Sequence, residues 1–267
     1  MPPWYKPRMR APLRIVLIAV AALAALGLVI GAIVVFLAPR GRVLPESLDP
    51  HSEEPAPSWA PPAEPPVAAA TPTGPGIAGL VDADWLARVS EATGIPERSL
   101  AAYAGAALVK AQSMPECGLA WNTIAGIGAA ESDHGRHGAS RVGTDGVVTP
   151  PIYGPPLDGG PGVEHVPDSD GGAIDGSAEI DRASGPFQLI PQTWRNWHTD
   201  GSGDGVEDPQ NIDDAAMATV NYLCRVSIHI DTEEGWNAAV AGFNSPQSYR
   251  DTVARFATRY AAALPDG

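Results

Sequence analysis

Basic residues are scarce in this chain: 17 Lys and Arg stand against 31 Asp and Glu, a formal net charge of −14 over 267 residues. Phosphate contacts need clustered Lys and Arg, so a nucleic-acid partner is not expected. Cysteine is nearly absent as well. Only Cys117 and Cys224 occur, and neither lies near the long apolar run described below, so a lipid anchor on cysteine is not available. Strand signals are few, which makes the expected fold mainly α. The first third of the chain is too biased in composition to build a packed core, leaving one globular domain as the expectation.

What is present begins with an uncharged run from Ile15 to Ala38. Its roughly 24 residues exceed the ~20 that cross a bilayer as a helix. A cleavable signal peptide is the alternative, but its apolar region is usually only about 7–15 residues, and Phe36-Leu37-Ala38-Pro39 makes a poor cleavage site. Lys6, Arg8, Arg10 and Arg14 precede the run while Arg40 and Arg42 follow it. The positive-inside bias then puts residues 1–14 in the cytoplasm and everything after residue 40 outside, on a single-pass membrane anchor. There the two cysteines are free to pair, the alternative being two buried thiols. Residues 39–79, dense in Pro and Ala, read as an extended spacer or a disordered leash.

From residue 80 to 267 helical signals recur. Asp82 can cap a helix that ends at Gly94, and a second runs over about 97–112. A third, about 119–132, is rich in Gly and Ala, so neighbouring backbones can approach it and it should be central. Gly138 to Arg182 has no periodicity and is longer than an ordinary loop, which points to an irregular insertion that is functional or mobile. Helices resume at Pro191, at about 213–226 and at about 233–243. A last one is expected with Ser245 as cap and Pro246 in its first turn.

Glu131 stands at the end of the glycine-rich helix. The negative end of the helix dipole and apolar neighbours both favour its neutral form, which is how a general acid is made near neutral pH. The alternative is a last-turn glutamate pointing to solvent.

Three blocks in order carry a more specific signal: Glu131-Ser-x-x-Gly135, Ala183-Ser184-Gly185-Pro186-Phe187-Gln188, and Gly242-Phe243-Asn244-Ser-Pro-Gln-Ser-Tyr249. Together they resemble the lytic transglycosylases, most closely the branch related to membrane-bound lytic murein transglycosylase B. The resemblance covers about Val81 to Ala263. It implies a lysozyme-like helical domain that cleaves the bond between N-acetylmuramic acid and N-acetylglucosamine in peptidoglycan and leaves a 1,6-anhydro end. Glu131 matches the lone catalytic glutamate, and no cofactor is required for that chemistry. Ser184, Gln188 and Asn244 match residues beside the sugar, with Phe187, Phe243 and Tyr249 as further substrate-binding candidates. Phe187 stands where the family has Met, and Phe243 where it has Tyr. The second change removes a hydroxyl that would otherwise lie near the acid. A muramidase using water on the same site is a close alternative, and an inactive wall-binding scaffold, suggested by Phe243, is another. Asp133 offers a second carboxyl, but at i+2 on a helix it faces a different side from Glu131.

Asp200-Gly-Ser202-Gly-Asp204-Gly205-Val206 has the 1, 3, 5 spacing with Gly at 6 of an EF-hand loop. Position 12 is Asn211; the resembling enzymes close a slightly longer loop with an aspartate, which Asp214 would match. Structural calcium on Asp200, Ser202, Asp204, Val206 and Asp214 is therefore one reading, and a polar turn before a helix is the other. Asp168, Asp170 and Asp175 also gather carboxylates, but their spacing fits no metal template.

Overall fold

A computed structural model of the chain describes residues 56–161 and 163–264. Among these are seven α-helices: α1 (Ala83–Thr93), α2 (Glu97–Ser113), α3 (Trp121–Ser132), α4 (Pro191–Trp197), α5 (Ile212–Val226), α6 (Glu233–Phe243) and α7 (Gln247–Ala262). Four short strands accompany them: β1 (Arg141–Val142), β2 (Val148–Thr149), β3 (Tyr153–Pro156) and β4 (Arg182–Ser184). The chain is thus mainly α. The basic tail, the apolar run 15–38 and the spacer as far as residue 55 lie outside the described residues. Among those described, no helix is long and apolar enough to cross a membrane.

Local chemistry sets the helix ends. The Asp82 carboxylate accepts from the Trp85 amide at 2.9 Å, and Gly94 closes α1 in the left-handed conformation. Thr232 caps α6 in the same way. The last helix departs from expectation: Pro246, with ψ 140°, is its cap instead of part of its first turn, so Ser245 lies outside the helix.

The glycine-rich α3 is central, and it packs most extensively on α7. A Cβ on Gly126 would stand 2.9 Å from the Val253 carbonyl oxygen, and one on Gly128 would stand 2.5 Å from the Tyr103 hydroxyl. Only bare backbone permits these approaches. Trp121, Ile124 and Ile127 on the same helix are fully buried, and a large apolar side chain contributes about 1.5–3 kcal/mol on burial. Cys117 and Cys224 form a disulfide, which joins the turn before α3 to α5.

The Pro-rich spacer needs correction. Its second half is not a leash, because the compact unit starts at Ala56. Asn122 of α3 clamps it: the amide nitrogen donates to the Pro61 carbonyl at 2.9 Å and the amide oxygen accepts from the Ala63 amide at 3.1 Å. Trp121 Nε1 donates to the Glu64 carbonyl at 2.9 Å, and Ala60 is fully buried. Extended proline-rich backbone has free carbonyls, and two side chains of the central helix take them up.

The insertion is also more ordered than its composition implies. Strands β1 and β2 pair antiparallel, β3 pairs with β4, and bridges Asp158↔His165 and Pro167↔Ile180 continue outward. The β3–β4 ladder sets Tyr153 opposite Ser184, so the insertion is fastened to the block that carries Ser184.

Candidate active site

Glu131 occupies the last turn of α3. Asp133, His134 and Gly135 follow with φ of 51°, 62° and 81°, so the chain turns sharply away. That turn is held tightly. The His134 amide donates to the Gly128 carbonyl at 2.9 Å, and Ser99 Oγ donates to the His134 carbonyl at 3.0 Å. The His134 ring is buried between the Tyr103 and Tyr260 hydroxyls, at 3.3 and 2.9 Å. Burial, reinforced by Arg136, pushes its pKa down to about 3, so the ring is neutral near pH 7.

The three sequence blocks converge on this helix end. Ser132 Oγ donates to the Pro186 carbonyl at 2.6 Å, tying the Glu131 block to the Ser184 block. The Tyr249 hydroxyl donates to Glu131 Oε1 at 2.5 Å, tying in the third. Burial pushes the Glu131 carboxyl up to about 7 against the Tyr249 hydrogen bond, which lowers it. Asp133 takes no part: it is exposed and ion-paired with Arg136 at 2.8 Å.

The Tyr249 ring stacks on Phe243 at 6.3 Å and 17°. Phe243 in turn meets Tyr222 at 6.1 Å, and Tyr222 meets Trp197 at 6.2 Å. A row of half-buried aromatic rings therefore leads away from the acid. Ser184 is buried, with its hydroxyl lacking a hydrogen-bond partner among the described residues. Gln188 has φ 48°, and its amide nitrogen donates to the Gly185 carbonyl at 2.9 Å. Asn244 ends α6 with its side chain exposed. Phe187 corrects its assignment: it is fully buried, edge-on to Tyr103 at 5.7 Å, and is a core residue instead of a substrate wall.

At the 200–214 loop the Asp200 carboxylate accepts from the amides of Gly203 (2.6 Å), Asp204 (3.2 Å) and Gly205 (2.9 Å), and from Ser202 Oγ (3.1 Å). Asp204 accepts from the Val206 amide. Asp214 is fully buried and accepts from the amides of Gly201, Ser202 and Asp208. Its burial raises its pKa to about 6, the three amides oppose that, and Asp200 adds repulsion. Asp200 and Asp214 each accept from three backbone amides of one glycine-rich loop, and Ser202 Oγ adds a fourth donor to Asp200. Both carboxylates therefore organise the loop, as in a polar turn before a helix. Among the described residues Asp168, Asp170 and Asp181 each bring a carboxylate oxygen within 4.8 Å of the others, whereas Asp175 accepts from the Ser177 and Arg182 amides.

No protein-family model, no curated protein and no solved structure matches the chain.

Proposed function

We propose that the chain is a peptidoglycan lytic transglycosylase, anchored to the membrane by residues 15–38 with its catalytic domain on the outer side. The observation that carries this reading is the lone carboxyl of Glu131. It is desolvated to a pKa of about 7 and held by Tyr249, and the neighbouring carboxylate, Asp133, is turned away and paired. A glycosidase of the usual kind needs two carboxyl groups flanking the bond. A single acid fits cleavage in which the substrate supplies its own nucleophile.

In the proposed reaction neutral Glu131 protonates the glycosidic oxygen between N-acetylmuramic acid and N-acetylglucosamine, and the acetamido group assists departure. The glutamate then accepts the proton of the muramic acid 6-hydroxyl as that oxygen closes the 1,6-anhydro ring. Proton and charge balance, and no water enters. The scaffold alternative rests on the hydroxyl lost at Phe243; the Tyr249 hydroxyl on Glu131 argues against it. A muropeptide digest tests the proposal. Anhydro products, lighter by one water than muramidase products, are expected from the wild type and none from Glu131→Gln. Hydrated products would move the assignment to a muramidase, and no products to a binding protein.

A further inference from the structure

Tyr153 and Arg182 belong to none of the three blocks, yet the β3–β4 ladder sets them beside Ser184. Tyr153 is the cross-strand partner of Ser184, and Arg182 precedes Ser184 by two residues on β4. Arg182 itself pairs with Pro156, with a bulge in β3 between the two pairs, so the contact of Arg182 with Tyr153 is established by distance. The Arg182 guanidinium carbon lies 5.3 Å from the centre of the Tyr153 ring, and its Nε donates to the Gly154 carbonyl at 2.8 Å. Those two contacts fix the plane of the guanidinium. Gly154 packs on Gln188, since a Cβ there would stand 2.8 Å from Gln188 Oε1.

Charge makes the pair unusual. In a chain with 31 Asp and Glu, the guanidinium of half-buried Arg182 forms no ion pair among the described residues; the nearby Asp175 carboxylate is engaged by the Arg182 backbone amide instead. The two terminal nitrogens of the guanidinium form an unfilled fork of the shape that binds a carboxylate through two parallel hydrogen bonds. Arg182 covers part of the Tyr153 ring, yet the residue is still 37% exposed, and its uncovered surface, apolar with a polar tip, suits the apolar face of a sugar.

The geometry points to Tyr153 and Arg182 as a subsite, built by the insertion, for a sugar residue that carries a carboxylate. The inference rests on the glycan reading above. Tyr153 stacks on the ring of the sugar, and Arg182 pairs with its carboxylate. In peptidoglycan that carboxylate has two sources, the lactyl arm of a muramic acid without peptide and the acidic groups of an attached peptide.

Binding of the full-length Glu131→Gln chain tests this without turnover. The probes are peptide-free glycan strands, the same strands with their carboxylates converted to amides, and peptide-bearing strands in both forms. The parent is expected to bind a carboxylate strand at least about tenfold more tightly than its amidated form, about 1.4 kcal/mol. This holds although the acidic protein as a whole repels it, and it needs no further variant. Adding Arg182→Gln should remove that preference while leaving the amidated strands bound as before. Adding Tyr153→Ala should weaken both forms alike. The preference appearing only on peptide-free strands assigns the lactyl arm, and only on peptide-bearing strands the peptide. A parent that binds both forms equally, or an Arg182→Gln chain that keeps the preference, overturns the subsite alone. A parent that binds neither kind of strand overturns the glycan reading and the subsite with it.

Discussion

The Tyr249 hydroxyl donates to Glu131 Oε1 across 2.5 Å, joining the first turn of α7 to the last turn of α3. The bond stabilises the charged form of the carboxyl and orients the oxygen that must deliver a proton. Tyr249→Phe is therefore expected to raise the pKa of Glu131 further, moving the alkaline limb of the pH–rate profile upward. The maximal rate should drop about tenfold, the order of one hydrogen bond to a charged group. An alkaline limb that stays in place would show that the hydroxyl does not act on the acid.

Glu131→Gln should abolish cleavage, to below about one per cent of wild type given the ~10²–10⁴-fold usual for acid–base catalysis. It should also stabilise the fold, with a definite pH dependence. The folded-state pKa, about 7, lies above the ordinary carboxyl value of 4.5. The stability that the neutral acid confers is thus fully present below about 4.5 and is lost as pH rises through about 7. The two values differ by about 2.5, so at roughly 1.4 kcal/mol per pH unit the loss by pH 8 is about 3.4 kcal/mol. An amide does not titrate and carries no such loss. The variant should match wild type in denaturant unfolding at pH 4 and exceed it at pH 8; equal stability at both would mean that the carboxyl is hydrated.

The helices were legible because their signals are local. Asp82, Gly94 and Thr232 act on their own turns, and the Gly/Ala face of α3 announces close approach wherever the partner lies. Glu131 was legible for the same reason, standing at the end of an apolar helix. Contacts between distant segments were not. Nothing around Tyr249 says that its hydroxyl meets a carboxyl 118 residues earlier. Phe187 follows a glycine and a proline in a loop, and only the fold shows that its ring enters the core. The strap over residues 56–79 reads as disordered because prolines and alanines dominate it and its few large apolar residues, Trp59, Val67 and Ile77, show no period. The groups that hold it, Asn122 and Trp121, belong to another element.

The disulfide closes a loop spanning a sequence separation of 107 residues. Replacing both Cys117 and Cys224 with Ala should lower stability by about 2–5 kcal/mol, the common range for removing a native bridge. Denaturant unfolding of the oxidised protein and the double variant measures the difference. No difference would mean that the turn before α3 is held by its other contacts, such as the Ile230 amide on the Cys117 carbonyl.

Calcium is expected to raise the melting temperature relative to a chelator. A cation held by Asp200, Ser202 and Asp204 binds only the folded loop, which stabilises it by roughly 2.7 kcal/mol at a hundredfold excess over its dissociation constant. Asp200→Ala with Asp204→Ala should remove the rise. Asp200 and Asp214 each hold three loop amides, so the variant is compared with wild type in chelator as well as in calcium, and only the calcium-dependent rise counts. Superimposable melting curves in calcium and chelator would leave the loop a polar turn.

The strap gives the last test, on where the domain begins. A fragment starting at residue 80 would uncover the indole nitrogen of Trp121 and both amide groups of Asn122 that now serve Pro61, Ala63 and Glu64. It would also expose the apolar surface beneath Ala60. Buried polar groups left without partners cost about 1–3 kcal/mol each where water cannot reach them. Water replaces part of that loss here, while the apolar surface stays exposed. The fragment 56–264 should therefore unfold cooperatively and resist protease. The fragment 80–264 should melt lower by several degrees and be cut sooner. Asn122→Ala in the longer fragment isolates the clamp, and it should loosen the strap enough for protease to cut near Pro61–Glu64 before the helices are touched. Equal resistance of the two fragments would return residues 56–79 to the role of a spacer.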